Sequence, residues 1–570
     1  MPLPEKRWTL PDCDPLEVAR LQQELKIDMA LARLLVLRGI SDYNAARLFF
    51  NPSLEHLHDP FLMKGMAQAV NRLTSAMAAG EAILIYGDYD VDGTTAIACV
   101  YTFLKKIYPK ISYYVPHRYR EGYGISMQSI DYAAEKNIKL MIALDCGIRA
   151  VEQVAYARSK GIDMIICDHH LPGPELPQAL ALLDPKQQDC TYPFKELSGC
   201  GVGFKLLQAF CIQQGLPQEM LWPFLDLLAV SIACDIVPII GENRILAFHG
   251  LKQLNTAPQP GLKQLLELAG APKTMTITDV VFLLGPRINA AGRIDDARSA
   301  ADLLIGEGDA RVLLEGAIKL QQLNAERKTL DQDISAEALA MVESDPDLLQ
   351  RTSTVVYHPE WHKGVVGIVA SRLVERIFRP TIVLTSSGQV IGGSARSVPG
   401  FDLYEALYEC RDLLLQFGGH RAAAGLTLEK ENLEAFREKF ESVVARMITP
   451  EQRIPEIVID TEISLDQLTD RYYRTLQRMA PFGPGNMKPM FVVRQVKDSG
   501  YSRILKEHHL RLSIRKADGE LIQGIGFGLA EKWEVVKNGY FDCCFHLEEN
   551  EFRNQTTLQL MVKDIRPSLS

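Results

Sequence analysis

The chain has 570 residues, a length that at roughly 100–200 residues per domain divides into about three to five packed units and excludes one globular core. Apolar residues make up 47% and charged residues 23%, which excludes a mainly disordered chain. With 62 Lys+Arg against 71 Asp+Glu the formal charge is -9, so no overall basic field advertises a polyanionic partner and any nucleic-acid site must be local.

The opening MPLPEKRWTLPD lacks the apolar run of a secretory signal, and no stretch approaches the ~18 uncharged apolar residues of a membrane span. A cytoplasmic protein without membrane contact is the expectation. Eleven cysteines contain no CxxC pair, with only Cys543 and Cys544 adjacent, which suggests neither a disulfide framework nor a thiolate zinc site.

Residues 1–60 read as short helical pieces (LEVARLQQELKI, MALARLLVLRGI, NAARLFF) broken at Gly39 and Pro52, an N-terminal helical cap. Across 61–250 short apolar runs alternate with helical segments: AILIY (82–86), ISYYV (111–115), LMIAL (140–144), MIIC (164–167) and ALALL (179–183). That alternation predicts a parallel sheet with helices on both faces. Residues 251–345 form a helical connector ending in a long helix over 307–344, with no Pro or Gly after Gly316. A second α/β domain spans 346–455, with strands STVVY, TIVLT and VIGGSAR. Short alternating runs in 456–570 (FVVRQV, HLRLSIR, LIQGIGF, FDCCFHLEE, TLQLMVKDI) predict an antiparallel barrel resembling an OB fold. The fold class is therefore α/β: two α/β domains joined by a long helix, plus an OB-like β-barrel.

The chemistry concentrates where strands end. The first strand runs into Gly87-Asp88-Tyr89-Asp90-Val91-Asp92-Gly93, LMIAL into Asp145-Cys146-Gly147, and MIIC into Asp168-His169-His170. In an open parallel sheet the carboxyl ends of the strands lie along one edge, where such folds place their sites. Asp235, after LLAVSIAC, is placed to close the cluster from a helix end. A solvated loop is the plain reading of an isolated DxDxD, but carboxylates and imidazoles arriving from several strands suit Mn²⁺ or Mg²⁺, and a bridging aspartate could hold two ions.

These residues resemble the DHH phosphoesterase family. PHRYREGYG (116–124), GVGFK (201–205), GPRINAAGRIDDA (285–297), WHKGVVGIVASRL (361–373), GGSARS (392–397), FGGHRAAAG (417–425) and PFGPGN (481–486) extend the likeness, close to the whole chain, to the long bacterial single-strand-specific exonucleases of that family. The resemblance implies a DHH catalytic domain at 61–250, a DHHA1 substrate-binding domain at 346–455, and Asp90, Asp92, Asp145, His169 and Asp235 as metal ligands, with Asp145 bridging two ions. It further implies that His170 contacts the scissile phosphate and that Asp168 orients an imidazole, so that His170, Asp168 and Asp145 carry catalysis. Shorter relatives place a histidine four residues before the first ligand aspartate; here Tyr86 stands there, and Asp88 is the nearest replacement. Water activated by the metals would be the nucleophile, with no protein nucleophile required.

A terminal phosphate calls for arginine forks, a hydroxyl and backbone N–H groups. The candidates are Arg118, Arg287, Ser394, Arg396, Gly419 and His420, and the long helix would set a single-strand-wide cleft between the two α/β bodies. Residues 491–570 carry 12 Lys+Arg and 11 Asp+Glu, a net of +1. Tyr501, Arg503, Lys506, His508, His509, Arg511, Arg515 and Lys516 interleave there, a pattern for stacking bases and meeting phosphates.

The resemblance thus implies a 5′-to-3′ exonuclease that degrades single-stranded DNA to 5′-mononucleotides in repair and recombination. It implies a monomer with a RecQ-type helicase and a single-strand-binding protein as partners. The alternatives are a DHH phosphodiesterase of nanoRNA or cyclic dinucleotides and a non-catalytic nucleic-acid-binding scaffold.

Overall fold

The computed structural model describes residues 5–552 and 555–568. The chain forms two units: Leu10–Gln321 together with the chain from Ile459 onward, and Gln322–Val458 together with the residues up to Thr9.

The first unit opens with helices α1 (Pro15–Leu25), α2 (Met29–Val36) and α3 (Tyr43–Phe50). Each starts on an aspartate whose carboxylate accepts a first-turn N–H: Asp14 from Leu16, Asp28 from Ala30 and Asp42 from Ala45. The parallel sheet follows as β1 (Ala82–Gly87), β2 (Ile111–Tyr114), β3 (Ile138–Leu144), β4 (Asp163–Cys167) and β5 (Ala181–Leu183), in the order β2-β1-β3-β4-β5. Ile83 to Tyr86 and Leu140 to Leu144 are fully buried, because helices cover both faces and leave no polar side to alternate. Helix α4 (Val91–Ile107) and helix α5 (Gly199–Gln214) pack together and against β1 and β3.

Register positions the site. Gly87 lies opposite Leu144, Leu144 opposite Cys167, and Cys167 opposite Leu183. Four strands therefore end level, and the residue after each is an aspartate: Asp88, Asp145, Asp168 and Asp184. Helix α6 (Leu225–Cys234) brings Asp235 to its C-terminal end.

Two buried cations tie this unit together. Lys205 of GVGFK is enclosed, its ammonium 2.8 Å from Glu242 Oε1, the His58 carbonyl and Gln208 Oε1, while the Tyr192 hydroxyl donates to the other Glu242 oxygen at 2.6 Å. With each group paired, the motif holds the fold, and removal of one partner would leave a buried charge. Arg244 stacks 3.8 Å from the Phe49 ring centroid and donates to the carbonyls of Phe49, Met479 and Ala480.

A π-helical turn, Val280–Leu284, leads into helix α7 (Gly285–Ile294). The 35-residue helix α8 (Ala310–Ser344) then carries the chain into the second unit. There β6 (Thr354–Tyr357), helix α9 (Val366–Ile377), β7 (Thr381–Ser387), β8 (Val390–Arg396), β9 (Gln416–Gly419) and β10 (Ala423–Leu428) make a sheet in the order β9-β10-β8-β7-β6. Only β6 and β7 are parallel. The hairpin of β9 and β10 is not among the strands that the sequence pattern predicts, since its glycine- and alanine-rich run lacks the β-branched alternation of a strand.

The first unit resumes as a barrel of β11 (Phe491–Lys497), β12 (His509–Arg515), β13 (Leu521–Gly526), β14 (Tyr540–Phe552) and β15 (Gln555–Pro567), in the order β11-β14-β15-β13-β12. A bridge between Asp498 and Ile514 joins the end of β11 to β12 and closes it. Its strands are antiparallel except β13 beside β15. Phe491, Phe545 and Leu512 inside the barrel share one core with Leu31, Leu34 and Leu35 of α2. The N-terminal helices thus cap the barrel. Nine of the eleven cysteines are buried and all are free thiols. Among the described residues no helix is long and apolar enough to cross a membrane.

Leu34 is 0% exposed in that shared core, so Leu34→Ala should cost about 2–5 kcal/mol. A lowered urea midpoint is the expected outcome; an unchanged midpoint would mean that α2 contributes nothing to the barrel core.

Candidate metal centre and phosphate-binding residues

Local backbone sets up each ligand candidate. Asp90 caps α4, its Oδ1 accepting from Gly93 N–H at 3.0 Å, and Asp92 sits in the first turn, where the positive end of the helix favours an anion. Asp145 adopts φ +58°, unusual for a non-glycine residue, and its N–H donates to the Cys167 carbonyl at 2.8 Å. Strain of this kind concentrates at functional sites. Ile236, following Asp235, is a second such residue at φ +61°.

The side chains converge on His169. Its Nε2 lies 3.2 Å from Asp145 Oδ1, 3.5 Å from Asp235 Oδ2 and 3.8 Å from Asp92 Oδ2. None of these is a hydrogen bond, and Asp145 Oδ1 and both His169 nitrogens are buried without a partner. Burial pushes the His169 imidazole below its ordinary range even against the Asp92 carboxylate, so it is neutral, the form in which histidine ligates. Asp145 is driven well above the carboxylate range by burial and by Asp92, Asp90 and Asp235. Asp235 is raised to about 8, by burial first and then by Asp92 and Asp90. Lone pairs crowding one point, with none of these side chains hydrogen-bonded to another, are what a divalent cation would satisfy, and the oxygen-plus-imidazole set fits Mn²⁺ or Mg²⁺. Two overlapping triads of possible ligands, Asp92-His169-Asp235 and Asp145-His169-His170, each lie within 4.8 Å and share His169.

Asp88 and Asp90 fall in neither triad. Burial and Asp90 push Asp88 well up, and its Oδ1 is buried without a partner. Tyr86 is core: its hydroxyl donates to the Gly124 carbonyl at 2.6 Å and its ring stacks on Tyr114.

Asp168 Oδ1 accepts from the N–H groups of His169 and His170, and contacts His170 Nδ1 at 2.7 Å; its Oδ2 accepts from Ile148 N–H. Burial disfavours the His170 charge, but this bond and the Asp168 charge prevail and lift its pKa to about 9. His170 is 44% exposed, and the Tyr123 hydroxyl lies 3.1 Å from its Nε2. The Tyr123 ring meets Tyr89, over which Arg118 stacks at 4.8 Å, so the PHRYREGYG loop reaches the centre.

Arg287 is not an open phosphate fork. It is 7% exposed, with Nε donating to Gln321 Oε1 at 2.7 Å and one Nη to the Leu283 carbonyl at 2.5 Å.

In the second unit Arg396 and Ser394 point the same way along β8, Nη1 donating to Ser394 Oγ at 2.7 Å. A Cβ on Gly367, in the first turn of α9, would lie 3.0 Å from Arg396 Nη2 and 3.1 Å from Ser394 Oγ, so a side chain there would crowd the pair against that helix start. Ala423 pairs with Arg396, which sets the turn holding Gly419 and His420 beside it. His420 N–H donates to the Ala423 carbonyl, and its Nδ1 accepts from Ala422 N–H.

Sequence reasoning missed Asp184, although ALALL runs into it as the other strands run into theirs. It is fully buried, Oδ1 accepting from Lys186 N–H at 2.7 Å, and burial raises it to about 7. It also missed Tyr123, although PHRYREGYG contains it, and Ser231, which has no local signature.

Three regions match known families: residues 82–232 the DHH family, N-terminal domain; 351–446 the DHHA1 domain; and 459–564 the RecJ OB domain. The single-stranded-DNA-specific exonuclease RecJ of Bacillus subtilis is 39% identical over 98% of this chain and 70% of its own length. That of Salmonella typhimurium is 35% identical over 89% of this chain and 91% of its own. The crystal structure of RecJ from Thermus thermophilus in complex with Mn²⁺ superposes with a TM-score of 0.85 at 28% identity, covering 99% of this chain and 80% of that one. In sequence and in fold, the chain belongs to the RecJ family.

Proposed function

We propose that the chain is a metal-dependent exonuclease that degrades single-stranded DNA from a 5′ end, releasing 5′-mononucleotides during repair and recombination. The convergence of Asp92, Asp145 and Asp235 on a neutral, unpartnered His169 carries the reading. These residues, with Asp90 and Asp88, would hold divalent cations, Mn²⁺ or Mg²⁺, which when bound would supply Lewis acidity toward phosphate oxygens and toward an attacking water. In this reading Asp145 would be the ligand shared by two ions.

The other groups act directly on the strand. Asp168 keeps His170 protonated through neutral pH, with Nε2 facing outward, so a phosphate oxygen that displaces the Tyr123 hydroxyl gains a charge-assisted bond as negative charge develops. Ser394, Arg396, the start of α9 at Gly367 and the Gly419-His420 turn form a receptor for a terminal phosphate, with Arg118 contacting the strand near the centre. The barrel supplies a surface for bases and phosphates farther along. A free single strand as substrate calls for a RecQ-type helicase that exposes one and a single-strand-binding protein that covers one, with the enzyme acting as a cytoplasmic monomer.

The test is hydrolysis of end-labelled single- and double-stranded DNA of both polarities with Mg²⁺, Mn²⁺ or chelator. Cation-dependent release of mononucleotides from 5′-ended single strands is expected; tight binding without cleavage would favour a scaffold.

Asp145→Ala and His169→Ala should each abolish hydrolysis while circular dichroism stays at the parent's; parental turnover in either would remove that residue from the centre. Arg396→Ala should cut the preference for 5′-phosphorylated over 5′-hydroxyl ends by ~10–100-fold, the worth of a charge-assisted hydrogen bond, and equal losses on both ends would exclude it from the receptor. Asp168→Asn should lower the His170 titration from about 9 toward an ordinary ~6.5 in histidine-labelled NMR of metal-free protein. The raised value belongs to the protonated form, so the imidazolium persists below it and is lost as pH climbs through it. A midpoint unmoved by the substitution would show that Asp168 does not hold the charge.

A further inference from the structure

Both oxygens of Asp92 accept hydrogen bonds. Oδ2 accepts from Gly199 N–H at 2.7 Å, and Oδ1 from Cys200 N–H at 2.9 Å and from the Ser231 hydroxyl at 2.6 Å. Ser231 Oγ also lies 2.6 Å from Ser198 Oγ, which accepts from Gly201 N–H at 3.1 Å.

Proton counting fixes the direction of this chain. A hydroxyl has one hydrogen, and an ionised carboxylate only accepts. Ser231 therefore donates to Asp92, Ser198 donates to Ser231, and Gly201 N–H donates to Ser198. A serine inside a helix ordinarily returns its hydroxyl to the carbonyl one turn back; Ser231, within α6, sends it to a residue 139 positions away. Ser198 and Ser231 are 0% exposed and Asp92 is 1% exposed, so water is poorly placed to substitute. The same helix start presses on Asp145, since a Cβ on Gly199 would lie 2.5 Å from Asp145 Oδ1.

We propose that Ser231 is a positioning residue of the metal centre: its hydroxyl, aligned by Ser198, locks the rotation of the Asp92 carboxylate that turns Oδ2 toward His169 and so sets the centre's affinity for a divalent cation. The inference rests on the metal-centre reading above. Without the hydroxyl, Asp92 keeps one backbone donor on each oxygen but loses the shorter of the two bonds that hold Oδ1. Outer groups that orient ligands in this way govern metal affinity.

Calorimetric titration of Mn²⁺ into the chelator-stripped full chain tests it. Ser231→Ala should weaken binding by ~10–100-fold, Ser231→Thr, which keeps the hydroxyl, should restore it, and Ser198→Ala should weaken it less. Parental affinity in Ser231→Ala, or Ser231→Thr as weak as Ser231→Ala, would overturn the proposal. If Ser231→Ala does not fold, Ser198→Ala decides, with parental affinity there overturning it. Failure of the metal-centre reading itself looks different: the parent would bind no Mn²⁺ in a manner sensitive to Asp145→Ala.

Discussion

The parallel sheet of the first unit poses one electrostatic problem: Asp88, Asp92, Asp145, Asp168 and Asp184, at or beside its carboxyl edge, are all at most 2% exposed. Isolated buried carboxylates are expensive, and like charges at short range raise one another's pKa. The protein resolves the problem differently at each position. Asp168 receives three backbone N–H bonds and the His170 imidazolium and stays below the ordinary carboxylate range at about 2, although burial acts against it. Asp92 receives the start of α5 and Ser231. Asp145 is left facing other carboxylates and a neutral imidazole, the demand that in the proposed reading a cation from outside would meet.

That division explains why the two adjacent histidines differ. His169 is buried, neutral and without a hydrogen-bond partner, while His170 is half-exposed and charged. One offers a lone pair and the other a proton, so in the proposed mechanism the same dipeptide would serve ligand and phosphate at once. The difference comes from Asp168, which bonds the His170 ring and only the backbone N–H of His169.

Much of this was legible in the sequence because strand ends carry the chemistry. Continuous apolar runs fix where β1, β3 and β4 stop, and the next residues name the site. Asp184 obeys the same rule yet is easily passed over, since a three-residue strand gives a weak signal. Ser231 was not legible at all: inside LLAVSIAC a lone hydroxyl reads as an ordinary interior residue, and its partner lies in a distant segment. The attachment of α1–α3 to the barrel was equally hidden, because an amphipathic helix announces an apolar face but not the body that receives it. The β9–β10 hairpin escaped for lack of β-branched residues. The -9 charge misled only as a whole-chain number, since part of the acidic excess is gathered at the centre, where bound cations would offset it.

The central claim is that the crowded lone pairs around His169 exist to hold divalent cations. Diffraction from Mn²⁺-soaked crystals at the manganese absorption edge tests it most directly. The account predicts anomalous peaks bounded by His169 Nε2 and the carboxylates of Asp92, Asp145 and Asp235. Peaks confined to other parts of the molecule, with none among these four side chains, would contradict it.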